Sequence, residues 1–213
     1  MDELSYLLES FDRVWPRLVE HLNIVSISML VAAAISLPLG IALSRVRALA
    51  TPVLVVLGIV YTIPSFAFLA LLVPITGLGQ RSAIVALSAY ALVVITRNTI
   101  VAFEGVDPSV KEAALGMGMS SGQLLRRIEV PLAMPVVLAG LRLATLSTIA
   151  LATIAAWTGA GGLGLLLKDG INNPPKLYAG VICVAGMAVA ADLLYRLVER
   201  RYRGQGRSTA TGK

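Results

Sequence analysis

Only one cysteine (Cys183) and one histidine (His21) occur among the 213 residues. A lone thiol cannot close an internal disulfide, so no oxidised framework is implied. With a single imidazole beside it, a His/Cys zinc site is out of reach. Charge is scarce too: 14% of residues are charged and 57% are hydrophobic, where a soluble domain carries about 25% and about 45–50%. That shortage excludes a soluble globule, whose surface needs charge, and a disordered chain, which is poor in apolar residues. Aromatics are few (four Phe, six Tyr, two Trp). No run of them along the sequence marks an aromatic cage of the kind that reads quaternary ammonium groups. Lys and Arg outnumber Asp and Glu by 18 to 12, but the excess lies scattered between apolar runs, so a nucleic-acid face is not expected. With a mean hydropathy of +0.82, this composition belongs in a membrane.

What is present is five apolar runs. A bilayer core of about 30 Å takes about 20 apolar residues as helix. Leu22 to Ser44 and Ala48 to Gln80 hold no charge; Ser82 to Phe103 holds only Arg97, Pro131 to Trp157 only Arg142, and Leu177 to Tyr195 only Asp192. Backbone groups in hydrocarbon need internal partners, so these runs read as helices; the short alternating segments of a strand barrel are missing. The expected fold class is therefore an all-α integral membrane protein with about five spans. The second run exceeds one span and predicts a re-entrant or interfacial end near Pro74. Pro38, Pro64 and Pro74 are expected to kink or interrupt helices. The first run starts late and lacks a basic leader, so a cleaved signal peptide is not expected.

Orientation follows from the basic residues. With the N-terminus outside, Arg45, Arg47, Lys111, Arg126, Arg127, Arg196, Arg200, Arg201, Arg203, Arg207 and Lys213 fall inside, against Arg13, Arg17, Arg81, Lys168 and Lys176 outside. N-out and C-in is the expectation, in the cell membrane. Trp15 and Trp157 then lie at the outer interface, as belt aromatics do, and His21 reads as interfacial. Arg97, Arg142 and Asp192 read as snorkelling residues or a structural ion pair, because no carboxylate sits near a midplane to relay protons.

The loop from Gly105 to Pro131 carries most information. Asp107-Pro108 starts a helix, with Asp as N-cap and Pro in the first turn. That helix is expected to break at Gly118. Ser120 with Gln123 forms a capping box for a second short helix, which is expected to end before Pro131. A helix, a glycine elbow and a helix that carry Leu115, Met117, Leu124 and Leu125 suggest a docking element for a partner. The alternative is an amphipathic element lying on the membrane surface.

Glu112-Ala113-Ala114, three residues, Gly118, nine residues and Ile128-Glu129-Val130-Pro131 resemble the EAA loop of ABC importer permeases, with Val130 in place of the family's leucine. Tyr61-Thr-Ile-Pro-Ser-Phe-Ala-Phe-Leu-Ala and Gly159-Ala-Gly-Gly-Leu-Gly164 are similar to the osmoprotectant branch, whose members import glycine betaine, carnitine or choline. The resemblance implies a type I importer transmembrane domain over 19–198, between an exposed N-terminal segment (1–18) and a basic cytoplasmic tail (199–213). It implies that the loop at 105–131 seats on a cytosolic ATPase. Glu112 would orient the loop or pair with a basic group, and Ala113 and Ala114 would allow close approach. Leu115 and Met117 would be apolar knobs, Gly118 the elbow, and Ile128 and Pro131 the motif's far end. The implied partners are an ABC ATPase dimer that binds the ATP and Mg, a second permease (the same chain or a paralogue), an extracytoplasmic solute-binding protein, and membrane lipid.

Gly159, Gly161 and Gly164 also satisfy Gly-x-Gly-x-x-Gly, but the run follows an apolar span rather than a strand, so it is no dinucleotide fingerprint. Gly159, Gly161, Gly162 and Gly164 instead suggest a turn at the outer mouth, a candidate outer gate or contact for the binding protein. No Gly-x-x-x-x-Gly-Lys-Ser/Thr occurs, so the chain is not expected to hold ATP in a P-loop, and the resemblance implies a transport subunit without a cofactor of its own rather than an enzyme. Two readings compete with an osmoprotectant permease: a permease for another small solute such as methionine, and a stand-alone secondary transporter. No internal repeat of the secondary-transporter kind is visible.

Overall fold

Without water to satisfy them, backbone amides in a bilayer close onto their own segment, and the described residues contain helices and turns but no strand. The computed structural model describes residues 11–203. In chain order these are α1 (Phe11–Arg45), α2 (Arg47–Thr62), α3 (Ser65–Thr76), α4 (Gln80–Glu104), α5 (Pro108–Gly116) and α6 (Ser121–Leu124). A π-helical turn (Leu125–Glu129) leads into α7 (Val130–Ile154), a 3-10 turn (Ala155–Thr158), α8 (Gly164–Asp169) and α9 (Pro174–Arg203).

Among the described residues four continuous stretches are long and apolar enough to cross a bilayer: α1, α4, the run from α6 through α7, and α9. The α2–α3 pair is bent by 94° and, counted as one broken span, brings the number to five. At 35 residues, α1 is about 50 Å long and begins before residue 18, with Val14 already buried. Residues 1–10 and 204–213, which include part of the N-terminal segment and most of the basic tail, lie outside the described residues.

The helix α4 is the most enclosed span and α9 the least. Ile24, Val25, Leu69, Ala83, Leu87, Ile149 and Ala152 form the larger core cluster, and Ala102, Phe103, Val106, Ala133 and Val137 another. Small residues let backbones approach where hydrocarbon supplies no hydrophobic drive. At Gly40 of α1, an added Cβ would lie 2.6 Å from the Thr99 Cβ on α4.

Three sequence expectations change. The second run breaks at Pro64, one of the three prolines expected to interrupt a helix, and its far part, which contains Pro74, bends away by 94°; Pro74 lies inside α3 and Pro38 inside α1, and neither helix is interrupted there. Pro64, as the N-cap of α3, forces extended backbone on Ile63 (ψ 128°), as a residue before proline prefers. The second short helix does not end before Pro131. It passes through the π-turn, where the Val130 N–H reaches back to the Leu125 carbonyl, and this wider register admits a proline that would clash in an α-helical turn. His21 is not interfacial. It is fully buried in α1, with Nε2 3.1 Å from the Ile149 carbonyl oxygen.

Candidate functional site

The elbow between α5 and α6 is built from local signals. The Asp107 carboxylate accepts from the Ser109 N–H and Oγ–H, each at 2.8 Å. These two hydrogen bonds hold its pKa below the ordinary carboxylate value because they favour the charged form. At the other end of α5, Gly118 takes a left-handed φ of 82°. Its N–H donates to the Leu115 carbonyl, and the Met119 N–H to the Ala114 carbonyl. Together these two bonds form a Schellman cap, which glycine completes without a Cβ penalty. The chain then re-enters helix through a complete capping box. Gln123 N–H donates to Ser120 Oγ, and Ser120 N–H to Gln123 Oε1 at 2.9 Å.

One face of the elbow is held by the bundle. Ala114 and Leu124 are buried and Leu125 is half-buried, so Leu124 is a core residue rather than the exposed apolar residue the sequence suggested. The other face is open: Glu112, Ala113, Leu115 and Met117 are exposed, Met117 at 72%. Ile128 is half-buried and Pro131 sits in the first turn of α7. Among the described residues Glu112 makes no ion pair.

The carboxylate that anchors this region is Glu129, which the sequence reading passed over. Its side chain is fully buried and takes both guanidinium arms of Arg45 from the end of α1. Lys111 Nζ of α5 lies 3.5 Å from it and also donates to the Phe103 carbonyl near the end of α4. Arg47 and Glu104 pair alongside at 3.4 Å. One buried acid thus ties α1, α5 and the start of α7, and Lys111 adds α4. The only signal in the sequence was an acid at the start of an apolar span, a costly place for charge.

At the opposite end of the bundle the glycine run folds inward. Gly161, Gly162 and Gly164 are buried, and only Gly159 is exposed. Gly162 N–H donates to Glu20 Oε2 at 2.8 Å, and Gln80 Nε2 donates to the other oxygen at 3.2 Å. Gly161 has φ 84°, and a Cβ there would collide with the Glu20 carboxylate. Gly79 N–H donates to the Thr158 carbonyl. Trp15 and Trp157 lie exposed at this same end.

Between the two ends, the broken span meets α4. The Tyr90 hydroxyl donates to the Ile63 carbonyl at the break. Its ring stands 5.6 Å from that of Tyr61 and 5.6 Å from that of Phe68, at interplanar angles of 71° and 90°. The aromatic cluster missing from the linear sequence is therefore present in space, assembled from two segments. Nearer the elbow, Arg142 Nε donates to Asp192 Oδ1 at 2.5 Å and Arg196 Nε to Asp192 Oδ2 at 2.7 Å, so Arg142 and Asp192 form an ion pair between α7 and α9. Arg97 is exposed.

Comparison with known proteins points one way. Residues 32–204 match the family described as binding-protein-dependent transport system inner membrane component. The chain is 38% identical to the osmoprotectant import permease protein OsmW of Salmonella typhimurium, over 92% of this chain and 95% of that one. It is 36% identical to the glycine betaine/carnitine/choline transport system permease protein OpuCB of Bacillus subtilis, over 88% and 87%. In fold it is similar to a chain of the inward-facing MetNI methionine ABC transporter, with a TM-score of 0.81, 21% identity, and 89% and 95% of the two chains covered.

Proposed function

We propose, of a chain that belongs to the inner membrane components of binding-protein-dependent transport systems and is a multi-pass permease subunit of an ABC importer, that it passes a compatible solute such as glycine betaine, carnitine, choline or proline betaine. The observation that carries the solute class is the 38% identity to an osmoprotectant permease over nearly the whole of both chains. A full-length relative at this level shares the spans that would line a path, not only the loop that marks the superfamily.

The energy comes from a separate ATPase dimer, which holds the ATP and Mg; this chain is a transport subunit without an ATPase site of its own. The solute arrives on a separate binding protein, and the path runs between this chain and a second permease, either a copy or a paralogue. The elbow end faces the cytosol and the glycine-run end faces outside, so the chain runs from N-out to C-in, as its basic residues favour. Glu112, Ala113, Leu115 and Met117 are the face that meets the ATPase. Ala114, Gly118, Ile128 and Pro131 shape the elbow behind that face. When the ATPases close, a push on α5 passes through Lys111 and Glu129 to α1, α4 and α7 together, a rigid-body transmission that needs no bending within the elbow. At the outer end Gly161, Gly162 and Gly164 brace the mouth against α1, and Gly159 is left to contact the binding protein.

Uptake of labelled betaine, choline, carnitine and methionine by cells expressing the whole transport system tests this reading. Accumulation of the quaternary amines is expected. Accumulation of methionine alone would replace the solute class, and accumulation without the ATPase would remove the coupling scheme.

A further inference from the structure

The three rings at the broken span stand where a solute crossing the membrane would need a partner. Tyr90 lies ten residues into α4, about 15 Å from its first residue, near the middle of a hydrocarbon layer of about 30 Å. At that depth a permanent cation has no water, and it needs a protein surface that attracts charge without a counter-ion held in hydrocarbon. Aromatic ring faces do this by cation–π attraction, which strengthens on desolvation. The geometry suits the task. Tyr90 is buried, and its hydroxyl is tied to the Ile63 carbonyl, so its ring is fixed. Tyr61 and Phe68 stand close to perpendicular to it, giving walls that meet at a corner. Tyr61 is 47% exposed and forms the open side of that corner.

The backbone adds to the effect. The helix α2 stops at Thr62, and proline at 64 offers no N–H to its last carbonyls. A helix C-terminus carries partial negative charge. An interrupted membrane helix is also where transporters present such carbonyls to a cation. A second ring on α3, Phe66, is 52% exposed at the same break.

We propose that Tyr61, Phe68 and Tyr90 form a mid-membrane station for the quaternary ammonium group of the solute. This rests on the solute class proposed above. The station attracts the trimethylammonium end weakly enough to release it, since its three members are rings without a formal charge, and it discriminates against solutes that lack a permanent cation.

The test is uptake by proteoliposomes that hold the complete transporter and enclose ATP, with its binding protein and labelled glycine betaine or choline added outside. Variants are Tyr61→Leu, Phe68→Leu and Tyr61→Phe, with ATP hydrolysis measured in parallel. Each leucine variant is expected to lower the maximal uptake rate on the order of ten-fold. The half-saturating concentration, set by the binding protein, stays unchanged, and so does ATP hydrolysis stimulated by the loaded binding protein. Tyr61→Phe keeps the ring and is expected to transport like the wild type. Leucine variants that transport at the wild-type rate overturn the station, and so does a Tyr61→Phe loss as large as that of Tyr61→Leu, which would assign the effect to the hydroxyl. A wild-type transporter that moves neither betaine nor choline overturns the solute class and the station with it.

Discussion

The guanidinium of Arg45, in the last turn of α1, forks onto both oxygens of the Glu129 carboxylate, 84 positions away at the start of α7, with Nη1 and Oε1 2.8 Å apart. The two partners differ in surroundings, since the arginine side chain is 45% exposed and the glutamate side chain 0%. Removing the arginine leaves a buried carboxylate with Lys111 alone, whereas neutralising the glutamate leaves an arginine that water can reach and a lysine that still donates to the Phe103 carbonyl. Arg45→Ala is therefore expected to cost about 3 kcal/mol, and Glu129→Gln only about 1 kcal/mol. Thermal unfolding of the detergent-solubilised protein measures both; equal losses would show that burial does not govern the pair.

Gly118 sets the elbow by conformation rather than by space. A Cβ there would meet nothing within 4 Å, so the cost of Gly118→Ala is the left-handed φ alone, about 1 kcal/mol. Proline cannot adopt that φ and also deletes the N–H that the Leu115 carbonyl accepts. Gly118→Ala is expected to reduce uptake in part, and Gly118→Pro to abolish it while membrane insertion persists. Glu112→Lys changes only the exposed face and is expected to lose the co-purifying ATPase without unfolding. Undiminished uptake in both Gly118→Pro and Glu112→Lys would refute the assignment of this face to the ATPase.

How legible these features were depends on how local their causes are. Asp107, Gly118, Ser120 and Gln123 act within three or four positions, so the elbow could be read residue by residue. Glu129 meets Arg45 across 84 positions, and His21 meets Ile149 across 128. No spacing rule reaches so far, and both residues looked like ordinary polar residues at span ends. Pro64 and Pro74 look alike in the sequence, yet only the first breaks the span: its neighbour Ile63 turns extended and the Tyr90 hydroxyl takes the freed carbonyl. Pro131 failed as a stop signal because the π-turn before it removes the clash the rule assumes. In the glycine run, Glu20 and His21 on α1 leave room at Gly161 and Gly162 only for backbone, a crowding that no local spacing announces.

Asp107 gives the elbow a pH dependence with a definite sign. Its pKa is lowered in the folded chain by the two Ser109 hydrogen bonds. The cap's contribution is therefore complete above the unfolded aspartate value of about 3.9 and is lost as pH falls through the lower folded value. Hydrogen-exchange protection of the Ser109 amide is expected to hold from neutral pH down to about 4 and to collapse below. Asp107→Asn keeps an acceptor and is expected to remove the pH step while preserving protection. A step that survives in Asp107→Asn would place the titrating group elsewhere.

Asp192 holds α9, the least enclosed span, onto α7. It accepts from Arg142 across the interface and from Arg196 one turn along its own helix, and the Thr145–Tyr195 hydroxyl pair at 2.9 Å lies beside it. Asp192→Asn leaves two guanidinium groups facing a neutral amide. Arg196 is 56% exposed and can snorkel to the headgroups, whereas Arg142, at 29%, is more enclosed and left without its counter-charge. The single change is expected to lower the unfolding temperature, because it leaves Arg142 without its counter-charge. Removing both charges, as Arg142→Met with Asp192→Leu, takes away the uncompensated arginine along with the attraction, and is expected to unfold closer to the wild type than the single variants Arg142→Met and Asp192→Leu predict when summed. The double-mutant cycle, read from thermal unfolding in detergent, separates the two effects. If the double variant loses as much as the two single variants summed, the pair contributes no coupling and α9 is held by its apolar contacts alone.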